Sequence, residues 1–129
     1  MNKSIFLIGL STVCAMQAIP VPTCQKPLRI EKKTVIELNE DIVISSKGSP
    51  VIASKLFGTS RPAKVIFTST KGYAVIVTSK GAWDLTSFDN HNKIVEFAGN
   101  ARLICQPGAT IIGNNGLLRF ADSARWIMG

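Results

Sequence analysis

The chain has 129 residues, 46% of them apolar, with 15 Lys and Arg against 8 Asp and Glu for a formal charge of +7. That length holds one domain and no comfortable second, and the apolar content excludes a disordered or low-complexity tail. Eight acids, three Cys and one His leave little material for carboxylate-pair catalysis or for metal and Cys/His chemistry.

Met1-Asn2-Lys3 is a basic start to the apolar run from Ser4 to Leu10, and small neutral residues lead on to Ala15 and Ala18. This is the layout of a secretory signal peptide, with cleavage expected after Ala15 or Ala18. The apolar run is too short to span a bilayer, which takes about 20 residues. Residues 1–18 are therefore expected to form a signal-peptide helix, the only membrane contact. The product is expected to be exported: periplasmic, at the cell surface or extracellular. Cleavage removes Lys3 and no acid, so the formal charge falls from +7 to +6. From Lys47 to Lys93 the basic residues are scattered singly and are not interleaved with aromatic side chains, which argues against a nucleic-acid partner. A solvated basic surface with affinity for anionic surface polymers fits them better.

Residues 19–33, with Pro20, Pro22 and Pro27, read as an extended lead-in followed by an N-terminal cap. From residue 34 the chain breaks into short apolar runs cut by Gly, Asn, Ser and Pro. In order they are Thr34–Leu38, Ile42–Ile44, Val65–Phe67, Tyr73–Val77, Ile94–Phe97, Leu103–Cys105, Thr110–Ile112, Leu117–Phe120 and Trp126–Met128. Runs rich in Val, Ile and Phe and bounded by turn residues read as strands. Two cysteines, Cys24 and Cys105, survive cleavage, and an exported pair permits a disulfide. Cys105, however, sits among apolar residues as a small core filler, and a stacked architecture sets the two apart.

That architecture follows from an internal repeat. Phe97-Ala98-Gly99-Asn100-Ala101-Arg102-Leu103-Ile104-Cys105 aligns with Phe120-Ala121-Asp122-Ser123-Ala124-Arg125-Trp126-Ile127-Met128, an offset of 23 residues, and Phe, both Ala, Arg and Ile are identical. The Leu-x-x-Leu-x-Leu pattern of leucine-rich repeats is missing. A 23-residue unit holding several short strands is one coil of a parallel β-helix, and residues 34–129 hold about four such coils. The fold class expected is all-β, a short solenoid.

The repeat also sets a register. Glu96 aligns with Arg119, and Phe97 stacks on Phe120 in the interior. Arg102 faces Arg125, two like charges that must splay into water or hold an anion between them. Arg102, Arg119 and Arg125 are thus the candidate binding patch, suited to sulfate, phosphate or uronate groups of an anionic surface glycan. Alternation leaves Ile94, Ile112 and Leu117 tending outward, a strip for contact with another segment or chain. The last run, Trp126–Met128, reads as an open terminal coil. Either it continues in a longer solenoid or a partner protein chain covers it.

With this pattern in place, residues 34–129 resemble the right-handed parallel β-helix proteins of bacterial surfaces. These include pectate-lyase-like enzymes, haemagglutinin-type adhesins and autotransporter passenger domains. Cys105-Gln106-Pro107-Gly108-Ala109-Thr110-Ile111 is similar to the P-G-A-T turn-and-strand phrases of such solenoids. Phe97-Ala98-Gly99-Asn100 is similar to the F-x-x-N half-signature of chlamydial polymorphic outer-membrane proteins. The resemblance implies a right-handed coil and a role in adhesion or in polysaccharide cleavage.

The acids decide between these roles. Polysaccharide lyases of this fold resemble one another in clustering Asp around calcium, and glycoside hydrolysis needs two carboxylates flanking the sugar bond. Among the acids only Glu40 and Asp41 are neighbours, and adjacent strand residues point to opposite faces. Asp84 and Asp89 are the other pair to weigh on successive turns, but nothing in their spacing demands that they meet. No Ser/His/Asp, zinc or phosphate-loop pattern occurs. No catalytic residue, metal site or cofactor is therefore assigned. The expectation is an exported, non-enzymatic solenoid with a structural, adhesive or surface-binding role. The alternative is a small or remnant pectate-lyase-like enzyme acting on acidic polysaccharide.

Overall fold

A strand with one buried face places every second side chain inside. The longest strands here keep that alternation almost throughout. Ala63, Val65, Phe67 and Ser69 are buried along one, and Lys93, Val95 and Phe97 along another. The computed structural model describes residues 19–54, 63–88, 93–113 and 117–129. The expected signal peptide and Asp89 lie outside the described residues.

The strands are β1 (Leu28–Ile30), β2 (Thr34–Glu37), β3 (Ile42–Ile44), β4 (Lys47–Gly48), β5 (Val51–Ala53), β6 (Ala63–Ser69), β7 (Ala74–Val77), β8 (Ala82–Asp84), β9 (Lys93–Gly99), β10 (Arg102–Cys105), β11 (Thr110–Ile112), β12 (Leu118–Phe120) and β13 (Arg125–Met128). A 3-10 turn spans Thr86–Phe88. Three parallel sheets run side by side, in the orders β12–β9–β6–β2, β13–β10–β7–β3 and β11–β8–β4, and β1 pairs with β5, also in parallel. Consecutive strands thus enter different sheets, and the chain returns to each sheet to add a parallel neighbour. This is an all-β, parallel, solenoid-like fold.

The expected register holds. Glu96 is opposite Arg119, Phe97 opposite Phe120 and Arg102 opposite Arg125. The period is not uniform. Thr34 lies opposite Val65, Val65 opposite Val95 and Val95 opposite Leu118, which are returns of 31, 30 and 23 residues. Only the last matches the visible repeat. Two of the extra residues of the middle return sit in the corner between Phe67 and Val75, where backbone runs outside the sheets and insertions cost little loop-closure entropy.

Inside, in-register residues build apolar columns. Phe67, Phe97 and Phe120 form one, with successive ring centroids 5.4 Å apart, and the rings of Phe97 and Phe120 are nearly parallel at 11°. Trp83 meets Phe67 and Phe97 edge-on at 6.2 and 6.1 Å, closing the column from the third sheet. Both edge-on and offset-stacked rings are favourable geometries. Burial falls away at β13, where Met128 is 70% exposed.

Residues 19–30 belong to the fold. Pro22 and Ile30 are buried, Val21, Cys24 and Leu28 pack against the core, and the Leu28 N–H donates to the Pro50 carbonyl at 2.9 Å. Cys24 lies beside Gly48 and Cys105 is buried in β10, both as free thiols. Leu117, expected to point outward, is buried at 7% exposure and joins the core. It stands in the corner just before β12, where the bend turns it and the following Leu118 both inward; Ala74 and Val75 do the same at the start of β7. Ile94 and Ile112 are half-buried.

Candidate functional site

The site is built at the corner between the first and second sheets. In the repeated segment this corner turns on Gly99 (φ 59°) and Asp122 (φ 56°), which occupy the same place one pass apart. Asp tolerates this left-handed bend better than most side chains. Its carboxylate also accepts the Gly99 N–H at 3.0 Å, tying the two corners together. Beyond the bend, the first residues of β10 and β13 are Arg102 and Arg125, facing each other across a parallel pair.

One pass earlier the same corner is two residues longer, since Phe67 and Phe97 are in register and so are Val75 and Leu103. The longer corner carries Lys71 and Gly72. The buried Ser69 hydroxyl shapes it, accepting the N–H groups of Gly72 and Tyr73 at 3.1 Å each and donating to the Leu38 carbonyl at 3.3 Å. Gly72 has φ 85°, a conformation that glycine adopts without penalty. Its carbonyl is thereby presented to Arg102, whose Nε and Nη2 both donate to it at 3.0 and 2.7 Å. Asn100 Nδ2 donates to the Thr70 carbonyl at 3.1 Å.

Lys71, Arg102 and Arg125 line one groove of about 370 Å³, with Asn100 and Ser123 between them and Ile127 at its side. Of the three arginines expected to act together, the structure brings together two. Arg119 stands on β12, opposite Glu96 in the first sheet, and does not line the groove. The Glu96 carboxylate lies 3.0 Å from Lys64 Nζ. Lys71 takes the third place. It falls in the two-residue insertion, which a 23-residue comparison passes over.

Beside the groove runs an outward-facing aliphatic row, exposed at its two ends and half-buried at Ile76 and Ile104. Val43 is opposite Ile76, Ile76 opposite Ile104 and Ile104 opposite Ile127, all on the outer face of the second sheet. Val43 is 53% exposed and Ile127 37%. The row was readable as the outward member between inward Leu103 and Cys105.

A second depression, about 240 Å³, is lined by Ser49, Ile52, Asp84, Thr86 and Ser87 with Gly48. Asp84 Oδ1 accepts the Thr86 hydroxyl at 2.7 Å and the Thr86 N–H at 3.0 Å. The hydroxyl hydrogen bond, then the backbone one, and less strongly the Lys47 charge hold Asp84 below the usual carboxylate range. These contacts make it the cap of the 3-10 turn. Ser87 Oγ accepts the Ala53 N–H at 3.1 Å, and Trp83 Nε1 donates to Ser49 Oγ at 3.0 Å, so the hydroxyls around it serve the backbone and the core. Burial pushes the Cys24 and Cys105 thiols up. Among the described residues no group of three or more His, Cys, Asp and Glu is placed to hold a metal ion. The chain matches no protein-family model, no curated protein and no solved structure.

Proposed function

We propose that the chain is an exported, non-enzymatic, right-handed parallel β-helix of about four coils with an adhesive or surface-binding role at the cell envelope. Its partner is an anionic surface glycan. The observation that carries this reading is the outer face of β3, β7, β10 and β13. There the row from Val43 to Ile127 runs beside the cations at Arg102 and Arg125, on strands spaced about 4.8 Å apart. A rigid face of regular pitch suits a linear polymer, because little conformational entropy is lost from the protein on contact.

Expression in the native host, followed by fractionation and N-terminal sequencing, tests the reading. The expected product is found outside the cytoplasm, begins at Met16 or Ile19, and adheres to isolated envelopes. A cytoplasmic product retaining residues 1–18 overturns it. Turnover of an acidic polysaccharide that Asp84→Ala abolishes would assign the lyase-like activity instead.

A further inference from the structure

The groove between the two sheets has a donor set that its own protein does not satisfy. Arg102 is held in one orientation by the Gly72 carbonyl, which takes Nε and Nη2. Its Nη1 has no acceptor among the described residues, and neither do the Arg125 guanidinium and the Lys71 ammonium. No carboxylate lines the groove. The closest acid in sequence, Asp122, is bonded through Oδ2 to the Gly99 N–H. Three cations thus converge from three levels of the stack: the long corner, β10 and β13. They lie around a space large enough for an anionic group and part of the sugar that carries it.

We propose that this groove binds sulfate or phosphate ester groups on a polysaccharide, with Lys71, Arg102 and Arg125 each taking one oxygen; the proposal rests on the surface-binding reading above. Three donors from three levels of the stack match an ester with three outward oxygens better than a flat carboxylate with two. Arg102 is the preorganised member, since its side chain is already fixed before the anion arrives. Asn100 and Ser123 offer polar atoms for sugar hydroxyls, and Ile127, exposed at the groove's side, offers an apolar surface to a ring face.

The purified protein would be titrated calorimetrically with dextran sulfate, phosphomannan and polygalacturonate at matched charge density and fixed salt. Dextran sulfate and phosphomannan separate the two ester sources, and polygalacturonate offers carboxylates alone. Binding to at least one ester polymer is expected to exceed binding to polygalacturonate. Arg125→Gln and Lys71→Gln should each weaken it about tenfold, the usual effect of losing one charge-assisted hydrogen bond. Arg119→Gln, the same charge change on another sheet, should leave it within about twofold. Equal losses from Arg119→Gln and Arg125→Gln would show diffuse attraction and overturn the groove, as would equal affinity for polygalacturonate. Envelope adherence that survives both groove variants would overturn this site while leaving the surface-binding reading standing. Absence of adherence in the unmodified protein would overturn that reading itself.

Discussion

Phe97→Ala is the substitution that most directly tests how the stack is held. The ring is fully buried, its centroid 5.4 Å from that of Phe67, 5.4 Å from that of Phe120 and 6.1 Å from that of Trp83. Removing a core phenyl costs about 3–5 kcal/mol, transfer and cavity terms together. Three aromatic contacts, each worth about 0.5–1.5 kcal/mol beyond area, place Phe97 in the upper half of that range. The cavity cannot close by approach of the neighbouring strands, because backbone hydrogen bonds fix their spacing at about 4.8 Å. Phe120 has the same side chain in the same column but is half-buried, so Phe120→Ala should cost about 1–2 kcal/mol. Urea unfolding followed by tryptophan fluorescence reads both. With a slope of about 2 kcal/mol per molar, Phe97→Ala should lower the midpoint by about 2 M and Phe120→Ala by less than 1 M. Equal losses, or a Phe97→Ala midpoint close to wild type, would refute the idea that the column is strongest in its middle.

Asp41→Ala should cost about 1–3 kcal/mol, because it strands the N–H of the fully buried Ala74, which now donates to Asp41 Oδ1 at 2.9 Å. Asp41→Asn keeps an acceptor oxygen and should recover most of that loss in the same urea curves. Among glycines, Gly81→Ala should be the most damaging, since its Cβ would sit 2.1 Å from the Ile44 carbonyl oxygen. Gly108→Ala combines φ 91° with a 2.9 Å approach to the Ser79 carbonyl, whereas Gly72→Ala meets only the left-handed backbone, at about 1–2 kcal/mol. Thermal melts should rank the three in that order, and a Gly72→Ala protein less stable than Gly81→Ala would contradict it. Asp84 titrates below its unfolded value in the folded chain, so its ionised form supports the fold above about pH 4, and that support fades as pH falls through the lower folded value. The stability gap between wild type and Asp84→Ala should be flat from neutral to mildly acidic pH and shrink below that range; a gap that widens on acidification would reverse the assignment.

What the sequence disclosed and what it hid have one physical origin. In a parallel stack a repeated residue faces its own copy, so the spacing of Phe97 and Phe120 was enough to place one ring over the other. The earlier returns were hidden because strands tolerate few insertions and corners tolerate many. Phe67 also belongs to the column, but its corner carries Lys71 and Gly72 in addition, and the longer return dissolves the 23-residue match. Strands such as Lys47–Gly48 and Ala82–Asp84 have no apolar period to read, and only pairing with neighbouring passes makes them strands. The candidate site divides in the same way. Arg102 and Arg125 were visible as repeats. Lys71 was not, and Arg119 was grouped with them by proximity in sequence, although its strand belongs to another sheet.

Self-stacking favours phenylalanine and penalises arginine, and the penalty gives a separate prediction. Two like charges about 5 Å apart repel by about 1 kcal/mol in bulk water and by several times that at an effective dielectric constant of 20. Arg102 offsets part of this through the Gly72 carbonyl, which the longer corner one pass earlier supplies. The corner beneath Arg125 is the short one, turning at Gly99, and it presents no equivalent carbonyl to that guanidinium. Arg125 therefore bears the repulsion without compensation in the free protein. Arg125→Gln should then raise stability by up to about 1 kcal/mol at low salt. The gain should vanish near 1 M salt, where the screening length is about 3 Å. A bound ester anion would reverse the sign, because it stabilises the wild type through the charge that the variant lacks. Urea midpoints should therefore favour the variant at low salt, coincide at high salt and favour the wild type with dextran sulfate present at low salt. A variant less stable than wild type at low salt without ligand would show that Arg125 is a structural residue, and the groove would lose its claim to be kept open for an anion.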